Sequence, residues 1–223
     1  MTQKERYAFI LPALAQEMPR VQTELQYKDP FSLLVAVMLS AQCTDKRGNL
    51  HTPALMAAYP TPQKMAQASP RELLPYIASI SYPNSKATHL HQTAQMLVEK
   101  FGGTVPQTRE ELVQLPGVGR KTANVMLAVA FGQPAMPVDT HVFRLTHRTG
   151  LVPPSAKTPN ATEEVLVRNT PPQELADLHH RLILHGRYVC LAQRPKCARC
   201  VLRPACKYYT LQEKKKKTPA NGK

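Results

Sequence analysis

Two groups of residues in this sequence have types and spacings that could do chemistry. The first is a lysine on a glycine-rich turn, Leu115-Pro116-Gly117-Val118-Gly119-Arg120-Lys121-Thr122. A lysine amine attacks an electrophilic carbon once it is free of its proton. A cation in the first turn of a helix opposes the helix dipole, and Arg120 adds repulsion, so both disfavour the Lys121 ammonium. The plainer alternative is a lysine that touches phosphate or is solvated, and the local residues alone favour it. Downstream, Pro137-Val138-Asp139-Thr140-His141 supplies a carboxylate. Asp139 is well placed as the N-cap of the apolar segment that follows. The same carboxylate could stabilise positive charge developing at a sugar, or relay a proton to a leaving group.

The second group is four cysteines, Cys190, Cys197, Cys200 and Cys206, in the pattern C-x6-C-x2-C-x5-C within seventeen residues. Four thiolates this close could hold zinc or an iron–sulfur cluster. Zinc ribbons usually show two close pairs, and here there is one, so the asymmetry favours a cubane cluster. Arg194, Lys196, Arg199, Arg203 and Lys207 accompany the cysteines. A loop fixed by metal could hold such side chains, Arg194 and Lys196 among them, toward phosphates. Cys43 stands alone in an apolar context and reads as a small buried residue. The eight histidines show no metal-ligand spacing.

These residues need elements to position them. Thr108 and Glu111 form a T-x-x-E capping box, which predicts a short helix over 109–114. A second helix starts near Arg120 and buries Ala123, Val125, Met126, Val129 and Phe131. Two helices joined by Pro-Gly-Val-Gly make a helix-hairpin-helix. Gly117 and Gly119 leave backbone N–H groups free to approach a phosphate beside the positive helix end. Such a contact positions a nucleic-acid backbone and reads no bases. Asp29-Pro30 opens a helix that is apolar nearly all round and therefore central. Further helices are expected near 62–68, 70–78, 85–101, 141–149, 162–169 and 172–185, with the 21 prolines falling mostly between them as breaks. Gly102 and Gly132 stand where C-terminal caps would fall. Residues 151–159 carry three prolines and read as a surface loop. The fold class is all-α.

The bulk composition agrees. Twenty-nine Lys+Arg against 15 Asp+Glu give a net charge of +14. The tail from 212 to 223, basic and expected to be disordered, accounts for part of the excess, and the body keeps a surplus that suits a polyanion. No apolar stretch is long enough to span a bilayer, and no signal peptide is apparent, so a cytoplasmic, nucleoid-associated protein is expected. In a reducing compartment, clustered cysteines point to metal before disulfide.

Taken together, 115–121, Val138-Asp139-Thr140-His141, Leu182-Ile183-Leu184-His185-Gly186-Arg187 and the cysteine pattern resemble the endonuclease III family of base-excision-repair glycosylases. Leu39-Ser40-Ala41-Gln42, Thr44-Asp45 and Asn84-Ser85-Lys86-Ala87 extend the resemblance, which runs from about Thr23 to Lys207. It implies a two-lobed helical fold with a DNA groove between the lobes. A six-helix barrel at 23–133 would carry Lys121. Residues 1–22 with 134–211 would carry Asp139 and a [4Fe–4S] cluster on the four cysteines. It implies a monomeric glycosylase and abasic-site lyase whose partner is double-stranded DNA holding an oxidised pyrimidine or abasic site. The damaged base is flipped out, Lys121 attacks the sugar, Asp139 assists, and β-elimination cuts the strand 3′ to the lesion. By the same resemblance Gln42 fills the hole left by the flipped nucleotide, and Arg120 with the hairpin glycines lies on DNA. Ile80-Ser81-Tyr82-Pro83 replaces the Gly-Leu-Tyr usual in the wedge loop, which puts Tyr82 at the intercalating position. Lys46-Arg47-Gly48 is more basic than the family's usual Val-x-Val, and Gln133 and Arg181 stand where tryptophans often occur. The adenine-mismatch branch shares hairpin and cluster but typically lacks the lysine. A silent DNA-binding module would need neither Lys121 nor Asp139.

Overall fold

The computed structural model describes the backbone of residues 1–217 and side chains as far as Lys214. Its helices are α1 (Gln3–Glu17), α2 (Pro30–Ser40), α3 (Asp45–Ala58), α4 (Pro62–Gln67), α5 (Pro70–Ile77), α6 (Pro83–Phe101), α7 (Arg109–Leu112), α8 (Arg120–Ala130), α9 (Thr140–Thr149), α10 (Pro159–Asn169), α11 (Leu175–Tyr188) and α12 (Lys207–Lys217). Short 3-10 turns join α10 to α11 and punctuate the cysteine segment. No strand occurs among the described residues, and the chain is all-α. It separates into two compact units, Thr23–Ala135 and Met1–Gln22 with the described residues from Met136 onward. No described helix is long and apolar enough to cross a membrane.

The 23–135 unit is built around α2. Asp29 closes its N-terminus by accepting from the Ser32 amide at 2.8 Å, and Pro30 takes a first-turn position that needs no donor. Residues Phe31 to Leu39 are all buried. A helix with no polar face has nowhere to meet water, so α3, α6 and α8 pack around it. The other unit joins the two ends of its chain. Tyr7, Ile10 and Leu14 of α1 share a core with Val142 and Leu145 of α9, Leu178 and Leu182 of α11, and Leu202 and Ala205 of the cysteine segment.

Several expectations are corrected. Pro12 and Pro53 lie inside α1 and α3 instead of between helices. A proline inside a helix costs about 3 kcal/mol. Burying Ile10 and Leu14 completely contributes about 1.5–3 kcal/mol each, enough to hold α1 helical through Pro12. The segment 151–159 is not wholly superficial: Leu151, Val152 and Ala156 are buried. Gly150, at φ 84°, turns the chain back, and the Gly150 and Val152 amides bond to the Thr146 carbonyl at 3.1 and 3.2 Å, a left-handed glycine cap that turns Leu151 inward. Cys43 is half-buried. The tail is helical as far as Lys217. Arg148 lies over the Tyr208 ring at 4.9 Å and Arg203 over Tyr209 at 5.6 Å, which anchors a run of good helix formers. The rest of the expected disordered tail, 218–223, lies outside the described residues.

Candidate active site and cysteine centre

The hairpin is assembled from local turn chemistry and braced from outside. The Thr108 hydroxyl accepts from the Glu111 amide at 3.3 Å and donates to the Glu111 carboxylate at 2.6 Å, starting α7. Arg109 Nε donates to Oδ1 of the fully buried Asn124 at 2.9 Å, which ties α7 to α8. Thr93 on α6 donates to the Pro116 carbonyl at 2.8 Å. Gly117 has φ 78°, and a Cβ there would lie 2.9 to 3.0 Å from atoms of His89. At Gly119, the N-cap of α8, a Cβ would meet nothing within 4 Å. The two glycines therefore serve different ends: Gly117 makes the turn, and Gly119 leaves the end of α8 open to a ligand. Gly117→Ala is expected to cost about 1–3 kcal/mol of stability in urea denaturation. Gly119→Ala should cost under about 1 kcal/mol yet weaken binding to duplex DNA. Wild-type affinity in Gly119→Ala would show that no phosphate approaches there.

Lys121 is the second residue of α8 and is exposed, while Thr122 to Ala128 behind it are buried. Arg120 precedes it, half-buried. Asp139, in the other unit, is half-buried and is the N-cap of α9; its Oδ1 accepts from the Val142 amide at 2.8 Å. The capping geometry is thus observed for Asp139, with the carboxylate held at a fixed place.

Gln42, Tyr82 and Gly117 line one open cavity of the 23–135 unit, with Met38, Lys86 and His89. Gln42 at φ 54° and Tyr82 at φ 56° both adopt the left-handed backbone that side chains other than glycine seldom take. Tyr82 is 65% exposed, although a large aromatic ring gains by burial. Beneath them lies a buried cation that the sequence reading gave no role. Lys86 Nζ donates to the Leu39 and Ala41 carbonyls, each at 2.7 Å. Burial pulls this ammonium below the usual lysine range, with a smaller opposing effect from Cys43. Two carbonyl acceptors keep its proton in place, so Lys86 acts as a brace. The signal in the sequence was a lysine among Ala87, Leu90 and Ala94 on the buried face of α6.

The four C-terminal cysteines line a common cavity with Leu145, Lys196, Arg203 and Tyr208 among its walls. Burial pushes the Cys200 thiol up to about 11, and the other three cysteines push in the same direction. Burial likewise raises Cys206. Thiols crowded in this way ionise readily only beside a cation, which a bound metal centre supplies. Among the described residues no group of three or more His, Cys, Asp or Glu side chains is disposed to hold a single metal ion. Two arginines of α9 grip this loop. Arg144 donates to the Cys190 carbonyl at 3.1 Å and the Gly186 carbonyl at 2.7 Å. Arg148 reaches the Leu191 carbonyl at 2.6 Å, the Ala192 carbonyl at 2.8 Å and Cys190 Sγ at 3.6 Å. The helix capped by Asp139 is therefore fastened to the cysteine loop. His185, buried, stands between Glu17 at 3.0 Å and Cys200 Sγ at 3.3 Å. Arg194, at φ 47°, and Lys196 are exposed on the same loop. Arg181 bonds the Met18 carbonyl and Asp177, each at 3.0 Å.

The chain as a whole is similar to known proteins. Residues 35–172 match the model of the HhH-GPD superfamily base excision DNA repair proteins. The chain is 46% identical over 199 residues to endonuclease III of Haemophilus influenzae, covering 89% of this chain and 93% of the relative. It is 41% identical over 215 residues to endonuclease III of Bacillus subtilis, covering 96% and 98%. A solved trapped covalent intermediate of an endonuclease III with DNA superposes with a TM-score of 0.90 at 40% identity, covering 96% of this chain and 100% of that one. Local hairpin, cysteine spacing and whole-chain likeness agree, and the chain belongs to the endonuclease III family of HhH-GPD base excision DNA repair proteins.

Proposed function

We propose that this member of a family of bifunctional DNA glycosylases and abasic-site lyases removes oxidised pyrimidines from duplex DNA and cuts the strand through a Schiff base on Lys121. The observation that carries the reading is the placement of Lys121: exposed, in the first turn of the helix whose open N-terminus at Gly119 suits a DNA phosphate. Gly117, Gly119 and Arg120 hold the backbone, and Arg194 and Lys196 add positive charge from the cysteine loop. Gln42 and Tyr82 enter the duplex as the target nucleotide swings out. The Lys121 amine bonds to the sugar C1′ as the bond to the damaged base breaks, and the base leaves with a proton. The sugar ring opens to a Schiff base. Loss of a proton from C2′ then expels the 3′ phosphate, which cuts the strand. The Asp139 carboxylate stabilises the cationic sugar and relays the proton.

Cys190, Cys197, Cys200 and Cys206 would hold a [4Fe–4S] cluster, whose contribution when bound is to fix the loop that presents Arg194 and Lys196. Purified protein is expected to absorb in the thiolate-to-iron charge-transfer region and to contain iron; zinc without iron would overturn the cluster. The catalytic reading is tested by borohydride trapping on duplexes with an abasic site or thymine glycol. Wild type should form a covalent adduct and Lys121→Ala none. No adduct from folded wild type would sink the lyase reading, and an adduct from Lys121→Ala would move the nucleophile to another amine.

A further inference from the structure

The residues just assigned to duplex entry, Gln42 and Tyr82, both carry left-handed backbone, at φ 54° and 56°. Such conformations persist where surrounding structure imposes them. What imposes them here is reciprocal. The helix following Gln42 is α3, and its side chains reach the segment leading to Tyr82. Arg47 Nε donates to the Ser79 carbonyl at 2.9 Å. His51 Nδ1 lies 2.8 Å from the Tyr76 carbonyl, which only accepts, so the proton is on Nδ1. Its Nε2 then accepts from the Ser79 hydroxyl at 2.7 Å. The helix following Tyr82 is α6, and its Lys86 donates to the carbonyls of Leu39 and Ala41, which lead into the turn at Gln42. The segment leading to each entry residue is thus tied to the helix that follows the other one.

We propose that Lys86, Arg47 and His51 are positioning residues that preset Gln42 and Tyr82 together, so that the two insertions work as one device for opening the duplex. The inference rests on the reading that Gln42 and Tyr82 enter DNA. A merely structural brace would lower the melting temperature and leave the chemistry of the folded fraction alone. A positioning role slows only reactions that require a base pair to be opened.

The test uses the full-length, cluster-loaded protein and single-turnover rates on two substrates. One is a thymine-glycol duplex with 2-aminopurine beside the lesion, whose fluorescence reports flipping. The other is a single-stranded abasic site, which has no pair to open. Lys86→Met and Arg47→Ala are expected to lower the duplex rate and the fluorescence change by about 10- to 100-fold, the scale of a displacement near 1 Å, and to spare the single-stranded reaction. Arg47→Lys, which keeps a donor, should recover much of the loss. In double-mutant cycles, Lys86→Met adds little to Gln42→Ala, and Arg47→Ala adds little to Tyr82→Ala. Additive effects, equal losses on both substrates, or a salt slope flattened by about one ion in Arg47→Ala, the mark of a phosphate contact, would each overturn the proposal. Arg47 is exposed, so its cycle decides the matter if Lys86→Met fails to fold. A wild type that neither excises nor cleaves would remove the functional reading and this inference with it. An active wild type with additive cycles removes this inference alone.

Discussion

Asp139→Asn is expected to fold as stably as the wild type and to excise thymine glycol roughly 10²- to 10⁴-fold more slowly. The separation follows from the geometry of the cap. The Val142 amide bonds one oxygen at 2.8 Å, and an asparagine oxygen accepts that bond equally well, since asparagine and aspartate rank together as N-caps. What asparagine lacks is charge and basicity. It can neither neutralise a cationic sugar nor take up a proton. Asp139→Ala loses the cap as well, and an added stability loss of about 1 kcal/mol is expected. Urea midpoints and single-turnover excision, measured on the same preparations, separate the two contributions. Full activity in Asp139→Asn would leave this residue as a helix cap and nothing more.

Cys200→Ser is expected to abolish iron binding and to lower the stability of the whole protein by about 4 kcal/mol or more, a loss that point substitutions reach only through a few mechanisms, metal loss among them. The cysteine segment has only two three-residue 3-10 turns of its own. Yet Leu202 and Ala205 within it are buried in the core that α1, α9 and α11 share. Releasing that loop uncovers the core. Cys43→Ser, at a half-buried thiol in the other unit, serves as the control and should keep its iron. Calorimetry with iron analysis reads both. Wild-type iron content and melting in Cys200→Ser would exclude a centre that depends on all four thiols.

The parts of the site that were legible in the sequence are those whose geometry is set within a few residues. Gly117, the Thr108 cap and the Asp139 cap each depend on neighbours no more than a turn away, and the structure shows the backbone these residue types demand. The cysteine spacing is equally local. The braces were not legible, because their partners are remote in sequence. Lys86 bonds a carbonyl 47 residues before it, and His185 meets Glu17 across 168 residues. No periodicity encodes such pairs. Helix α3 was missed for another reason: a proline inside it reads as a break, and only tertiary packing restores the helix. The same packing explains the burial of Leu151 and Val152, which proline content alone had placed on the surface.

The cysteine-bearing unit is discontinuous, since residues 1–22 complete a core whose other members come from Met136 onward. This dictates an order of assembly on the ribosome. The 23–135 segment emerges whole and can gather around α2 while synthesis continues. Helix α1, made before them, must wait with Tyr7, Ile10 and Leu14 uncovered until α9 and α11 arrive. The four thiols follow both of these helices in the chain. Any metal held by the four thiols can therefore bind only after α9 and α11 have been made, and a chain stalled before them would present an unpaired apolar helix to chaperones and proteases.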